Sequence, residues 1–138
     1  LIIGEGPELP RLKNMAGPNI QFLGYQSDEK VAEYLGKARG FVCATEEDFG
    51  IAIVEAQAAG CPVIAYGQGG ALETVVENTT GIFFKEQSPE GLIDALERYE
   101  KVYANIHTSD LIKNAQRFSK NKFIDEFRKF VRSEHKQF

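Results

Sequence analysis

Short, continuously apolar runs recur along this chain at nearly constant intervals, and they restrict its fold more than any other feature. Leu1-Ile2-Ile3, Ile20-Gln21-Phe22-Leu23, Phe41-Val42-Cys43-Ala44, Pro62-Val63-Ile64-Ala65-Tyr66 and Gly81-Ile82-Phe83-Phe84 start about twenty residues apart. Each is followed by a stretch whose apolar residues return at helical spacing. The runs are strand-sized, and several lack the polar alternation of a strand with one wet face. Phe41-Val42-Cys43 and Val63-Ile64-Ala65 therefore read as strands buried on both sides, the situation of a parallel sheet between two layers of helices. The predicted fold class is α/β, a doubly wound parallel sheet of five strands with C-terminal helices.

The punctuation supports this alternation. A helix is expected around 8–14, another after Ser27-Asp28-Glu29, and a third from Ile51 to Ala59, stopped by Gly60. Pro62 stands at a strand entry, where a missing N–H costs least. A short helix is expected over 71–76, and Ser88-Pro89-Glu90 caps one running to about Tyr103. The Lys-, Arg- and Phe-rich segment 110–134 reads as one or two more helices. These boundaries give a nucleotide-binding-sized body, 1–106, and a helical extension, 107–138. With 138 residues the chain has room for one such domain and not two, and its opening strand leads us to expect a piece of a longer protein.

Composition closes several routes. Sixteen Lys+Arg against twenty Asp+Glu give a formal charge of −4, which argues against nucleic acid as a partner. No apolar run approaches the ~20 residues that span a bilayer. Cys43 and Cys61 are too few and too far apart for a zinc site or a disulfide framework, and read as buried reduced thiols. His107 and His135 have no neighbour at ligand spacing and read as surface or helix-end residues. No metal site is expected. Asn78-Thr79-Thr80 fits a glycosylation sequon but is read as a turn.

Ligands of open parallel sheets sit at the carboxyl ends of the strands, where loops meet helix N-termini. Three loops qualify. Gly4-Glu5-Gly6-Pro7 begins like a dinucleotide fingerprint, but Leu9 occupies the place of the third glycine. Glu46-Glu47-Asp48-Phe49-Gly50-Ile51, followed by Glu55, places two carboxylates eight positions apart around a strand–helix turn. Gly50 permits close approach of a ligand to the backbone, and the first amides of the helix can receive an anion. A bare phosphate would be repelled by these acids. A ligand with hydroxyls on both sides of a diphosphate would not, and a nucleotide sugar has that layout; the competing reading is a capping turn with a solvated acidic run. The third loop, Gly67-Gln68-Gly69-Gly70 before Glu73, offers amides at another helix start or is simply a tight turn.

Taken together, Glu47 and Glu55 with Phe49-Gly50-Ile51 between them, Ala56-Gln57-Ala58-Ala59-Gly60-Cys61-Pro62-Val63-Ile64-Ala65, and Gly69-Gly70-Ala71-Leu72-Glu73 resemble the retaining GT-B glycosyltransferases of family 4. Gly4-Glu5-Gly6-Pro7, Phe22-Leu23-Gly24-Tyr25 and Gly81-Ile82-Phe83-Phe84 add to the resemblance, which covers about 1–100. It implies one Rossmann-like half of a two-domain fold, the C-terminal half that binds the donor. By the same resemblance Glu47 would contact the hexose hydroxyls and is the catalytic candidate, orienting the sugar rather than attacking it. Glu55 would hold the ribose, and the amides of Phe49, Gly50 and Ile51 would lie against sugar and diphosphate. Gly24 and Tyr25 would line the base pocket, and Glu73 would brace the Gly69-Gly70 loop.

The Glu-Asp-Phe-Gly-Ile variant resembles mannosyltransferases of surface-polysaccharide assembly. It implies GDP-mannose as donor, with UDP-linked glucose, galactose or N-acetylglucosamine as alternatives, and a glycan or lipid-linked acceptor. No cofactor is implied beyond the donor substrate. The location implied is the cytoplasm, at its membrane face if the whole protein associates peripherally with lipid. The chain departs from the family in lacking the Arg and Lys that hold the diphosphate; Lys37 and Arg39 are expected to be solvated helix-end residues. The family's N-terminal acceptor domain is absent too, so the fragment alone is expected to be inactive. A non-catalytic nucleotide-sugar-binding or scaffold domain is the alternative from another class, and a dehydrogenase-like dinucleotide binder a third. In the tail, Phe118, Phe123, Phe127 and Phe130 are expected to pack into the core or between domains, against a membrane-surface helix as the alternative.

Overall fold

The computed structural model describes residues 1–135 and divides the chain into two compact units, Leu1–Tyr34 and the remainder from Leu35. In the first unit, Ile2 pairs in parallel with Phe22. Its N–H donates to Gln21 O at 2.8 Å and its carbonyl accepts from Leu23 N–H at 2.9 Å. Two expected strands are thereby reduced to a single bridge. Helix α1 (Leu9–Met15) follows, with proline in its first turn, and α2 (Asp28–Lys37) carries the chain onward behind Asp28 and Glu29.

The second unit is built on three parallel strands, β1 (Phe41–Cys43), β2 (Val63–Tyr66) and β3 (Gly81–Phe84), in the order β1-β2-β3. Register pairs Val42 with Ile64 and Ile64 with Ile82, so side chains alternate coherently across the sheet. Phe41, Cys43, Val63, Ala65 and Phe83 face one layer, made by Ile53 and Ala56 of α3 (Ile51–Ala58) and by Ala71 of the short α4 (Ala71–Thr74). Ile64, Ile82 and Phe84 face the other, where Ala95 and Tyr99 of α5 (Pro89–Val102) cover them. The α/β class with a parallel sheet is as expected. Burial on both faces holds for β2, whereas Val42 is 42% exposed because β1 has a sheet neighbour on one side within this unit.

Local signals place the ends. Ser88 Oγ accepts from Gly91 N–H at 3.0 Å, capping α5 as its sequence requires. Asn78, at φ +61°, occupies the turn before β3, as the turn reading of the sequon expects. Both cysteines are free and buried, and burial pushes the Cys61 thiol up to about 11.

The C-terminal segment forms two helices, α6 (Thr108–Gln116) and α7 (Lys120–His135); residues 136–138 of the expected extension lie outside the described residues. His107 stands at the start of α6, an exposed helix-end position, and α6 lies on α3. A buried polar node joins three helices here. Asn114 Nδ2 donates to Gln57 Oε1 at 2.6 Å and to Thr74 O at 2.8 Å, and Gln57 Nε2 donates to the same Thr74 carbonyl at 2.8 Å. Phe118 is half-buried. Phe123, Phe127 and Phe130, by contrast, do not enter the core of this unit, being 65%, 56% and 62% exposed. Phe123 and Phe127 lie one helical turn apart and stack on each other at 5.9 Å, so their periodicity marks a stripe on α7 rather than a buried face.

Two outcomes test this packing. Asn114→Ala strands the Gln57 Oε1 acceptor and leaves Thr74 O with Gln57 Nε2 as its remaining donor, and should cost about 1–3 kcal/mol in urea unfolding, whereas exposed Lys113→Ala stays within about 0.5 kcal/mol. With Cys43 replaced by alanine, Cys61 should react with a thiol reagent only as fast as the chain unfolds at neutral pH. Because its folded value lies above the ordinary 9.0, the stability of the buried thiol is complete below pH 9 and declines as pH rises towards 11. Fast labelling of the native chain would contradict the buried placement.

Candidate functional site

At the carboxyl edge of the sheet, β1 ends at Cys43 and the chain crosses to α3 through Ala44–Gly50. Gly50 makes that crossing possible. It sits at φ +80° as the N-cap of α3, where a side chain would strain the backbone and crowd Ile53 Cδ1 at 2.8 Å. With glycine as cap, no side chain satisfies the first turn of α3, and that turn contains no acidic residue. Its leading amides, those of Ile51 and Ala52, have no intrahelical acceptor and face outward with the positive end of the helix dipole.

The acidic loop is fixed from the side by the glycine loop that follows β2. Glu47 and Gly69 form an isolated parallel bridge, and Gly70 N–H donates to Glu47 O at 2.6 Å. The approach is backbone against backbone. A Cβ on Gly70 would lie 2.5 Å from Asp48 O and from Phe49 Cα, and one on Gly69 would overlap Glu47 O. Two loops more than twenty positions apart are thus one structural unit, and glycine is required because the peptide planes touch.

Within this unit Glu47 is half-buried, and its Oε1 accepts from the Thr45 hydroxyl at 2.7 Å. Thr45 Oγ1 lies in turn 3.7 Å from Cys43 Sγ, so a short chain of contacts runs from the strand end to the carboxylate. Glu55 is exposed on α3, one turn beyond Ile51 and about 6 Å further along the axis. Gly50 is buried, whereas Ile51 is exposed. The Phe49 ring meets Phe118 edge-on, with centroids 5.5 Å apart. The loop after β3 contributes Gln87, whose Nε2 donates to Ala44 O at 2.9 Å. Gly24 and Tyr25 belong to the first unit; there Glu5 Oε1 accepts from Tyr25 N–H at 3.5 Å, and the Tyr25 side chain is exposed.

Several expectations change. Glu73 does not brace the glycine loop through its carboxylate, which is exposed and bonds to none of the described residues; the bond from Gly70 N–H to Glu47 O holds the loop instead. That same bond occupies the Gly70 amide, so it is not the free donor the glycine loop promised. Arg39 is solvated as expected, its side chain being 63% exposed, and it also has partners at the surface. It pairs with Glu100 at 2.7 Å, and its guanidinium lies 4.7 Å from the centre of the Tyr103 ring, at the far end of α5. The Arg39 carbonyl also accepts from the Tyr99 hydroxyl, whose ionisation burial pushes well above its ordinary range. Lys37 closes α2, as expected of a helix-end residue.

Thr45 and Gln87 were missed by sequence reasoning, and Phe118 was expected only to pack with the other tail phenylalanines. Thr45 could have been found, two residues before Glu47 in the same loop. Phe118 carried no signal pointing to Phe49. A cleft of about 790 Å³ lies along β3 and α5, lined by Phe83, Glu86, Glu90, Asp94 and Arg98 among others, and includes Gly67 but neither Glu47 nor Glu55.

What the arrangement can do chemically is bind a ligand with an anionic centre and hydroxyl groups beside it. Carboxylates accept hydroxyl hydrogen bonds, and the uncapped helix start receives negative charge. Comparison with known proteins agrees in kind. Residues 1–118 match the family model described as glycosyl transferases, group 1. The chain is 34% identical over 109 residues to a GDP-mannose-dependent alpha-(1-6)-phosphatidylinositol monomannoside mannosyltransferase of Mycobacterium tuberculosis, covering 70% of this chain and 28% of the relative. It is 31% identical over 120 residues to the alpha-1,3/1,6-mannosyltransferase ALG2 of Mus musculus, covering 82% and 28%. Among solved structures, the sucrose-phosphate synthase of Thermosynechococcus elongatus superposes with a TM-score of 0.83 at 24% identity, over 99% of this chain and 38% of that one. The chain therefore spans little more than a quarter of the two relatives. Its strand–loop–helix order, its paired glutamates and a family match over most of its length lead to one conclusion: the chain belongs to the glycosyl transferases of group 1.

Proposed function

We propose that this chain is the donor-binding half of a retaining hexosyltransferase that moves mannose from GDP-mannose to a glycan or lipid-linked acceptor. The observation that carries the reading is the fusion of the acidic loop with the glycine loop at the uncapped start of α3. It sets a half-buried carboxylate, Glu47, beside amides that can take a diphosphate. The GDP-mannose-dependent relative at 34% identity supports the choice of donor.

In this reading Glu47 accepts hydrogen bonds from hexose hydroxyls, using the carboxylate oxygen that Thr45 does not hold. Glu55 accepts from the ribose hydroxyls, and the peptide groups from Phe49 to Ile51 face the sugar and the diphosphate. When the bond from the anomeric carbon to the diphosphate oxygen breaks, its electron pair leaves with the nucleoside diphosphate, and the α3 dipole stabilises the charge that grows there. The acceptor oxygen bonds to the same face of the sugar, and its proton passes to the departing diphosphate. The donor is a substrate, and the reading calls for no cofactor or metal. It places the whole protein in the cytoplasm at the inner membrane face, with the acceptor bound by residues outside this chain.

Isothermal titration of the whole protein with GDP-mannose, UDP-glucose and NAD tests the class, and GDP-mannose should bind most tightly. Failure to bind any nucleotide sugar would sink the reading, and binding without transfer to any acceptor would favour a scaffold domain. Glu47→Ala should lower kcat/KM for the donor about 10²-fold, and Glu55→Ala should raise donor KM about tenfold with a smaller effect on kcat. Gly70→Ala leaves a permitted backbone conformation, yet it should cost as much activity as Glu47→Ala because its methyl group displaces Asp48 and Phe49. Wild-type kinetics in that variant would show that the loop contact has no part in the site.

A further inference from the structure

Phe118, the first of the tail phenylalanines, lies in the turn between α6 and α7, 69 positions from Phe49 and outside the loops of the candidate site. Its ring nevertheless meets the Phe49 ring edge-on, at 5.5 Å between centroids and 79° between planes. Phe49 is the residue whose Cα already lies beneath Gly70, so this loop is clamped from two directions. The glycine loop holds its backbone, and the aromatic contact holds the side chain that projects from it.

Phe118 is itself held. The Arg117 guanidinium lies 5.1 Å from the centre of the Phe118 ring, and Arg117 Nη1 donates to Asn114 Oδ1 at 2.7 Å. Asn114 is fixed by its bonds to Gln57 on α3 and to the Thr74 carbonyl at the end of α4. A continuous line of contacts therefore runs from the buried polar node through Arg117 and Phe118 to Phe49. Both ends of that line are anchored on α3, one at Gln57 and the other at the N-cap beside Phe49. Edge-on aromatic pairs prefer a defined angle, so the contact fixes the orientation of the Phe49 side chain and the peptide groups on either side of it.

We propose that Phe118 is a positioning residue for the loop 46–50, holding through Phe49 the peptide groups that end the β1–α3 crossing in the geometry needed at the start of α3. It touches no substrate and acts through Phe49. Its kinetic consequence rests on the donor reading above, whereas its effect on the loop does not depend on that reading.

Amide exchange in the ligand-free protein, read by NMR, tests the loop directly. The Gly70 amide, bonded to Glu47 O, is the probe, and the Gly67 amide, bonded to Phe84 O in the sheet, is the control. Phe118→Leu keeps apolar volume without the ring and should speed Gly70 exchange about three- to tenfold, leaving Gly67 unchanged. Phe118→Tyr retains the ring and should restore the wild-type rate. Unchanged Gly70 exchange in Phe118→Leu, or equal acceleration at both amides, would overturn the proposal. In turnover assays of the whole protein with GDP-mannose, Phe118→Leu should raise donor KM about three- to tenfold with kcat within twofold. Adding it to Phe49→Leu should have little further effect, as expected of two residues acting through one contact. Full additivity would overturn the proposal. A protein that binds no nucleotide sugar refutes the donor reading alone, because the exchange experiment still decides whether Phe118 positions the loop.

Discussion

The Gln57 side chain holds the second unit together in a way that no apolar residue could. It is fully buried in α3, donates to the Thr74 carbonyl and accepts from Asn114, while Asn114 donates to the same carbonyl from α6. A carbonyl at the end of a four-residue helix has no continuing turn to use, and burying it without a donor would cost about 1–3 kcal/mol. Two amide side chains remove that cost and fix the separation of three helices at hydrogen-bond precision. Among the described residues no buried side-chain nitrogen or oxygen lacks a partner, so the node is a fully satisfied polar insert between apolar layers.

From this node the geometry of the site follows. Gln57 lies near the end of α3, and the N-cap of the same helix is the point where the acidic loop arrives. Fixing α3 against the sheet through Ile53 and Ala56 therefore fixes the peptide groups at Gly50. The glycine loop depends on the same framework, because it leaves β2, the strand buried by both layers, and leads directly into α4. Position in the candidate site is thus inherited from the two most constrained elements, and the loops themselves add a single strong contact between backbones. That contact gives the two glycines a steric role, since neither can carry a Cβ without displacing the acidic loop.

The three exposed phenylalanines of α7 contrast with this economy. Phe123, Phe127 and Phe130 form an apolar stripe on a helix with Lys and Arg elsewhere on its surface, and within the described residues nothing of the core covers them. Phe118, five positions before Phe123 and ahead of α7, is the member that turns inward, against Arg117 and Phe49. A periodic pattern in the sequence shows that such residues share a face, but it does not show which of them finds a partner.

The sequence by itself determined the α/β alternation, the helix starts at Asp28 and Pro89, the position of Glu47 in a strand–helix turn and of Glu55 one turn into a helix. These follow from apolar periodicity, capping and glycine placement, which act over a few neighbouring residues. It did not determine how many strands would form. Whether Leu1-Ile2-Ile3 becomes a ladder or a single bridge depends on what lies beside it rather than on its own composition. Nor could it show that Glu73 leaves the glycine loop unbraced, that Arg39 turns to Glu100, or that Phe118 reaches Phe49. Each of these is a contact between segments far apart in the chain, and such contacts are chosen by the packing of whole elements. Only the tertiary structure decided them, because side chains compete for partners in three dimensions and local spacing carries no record of the winner.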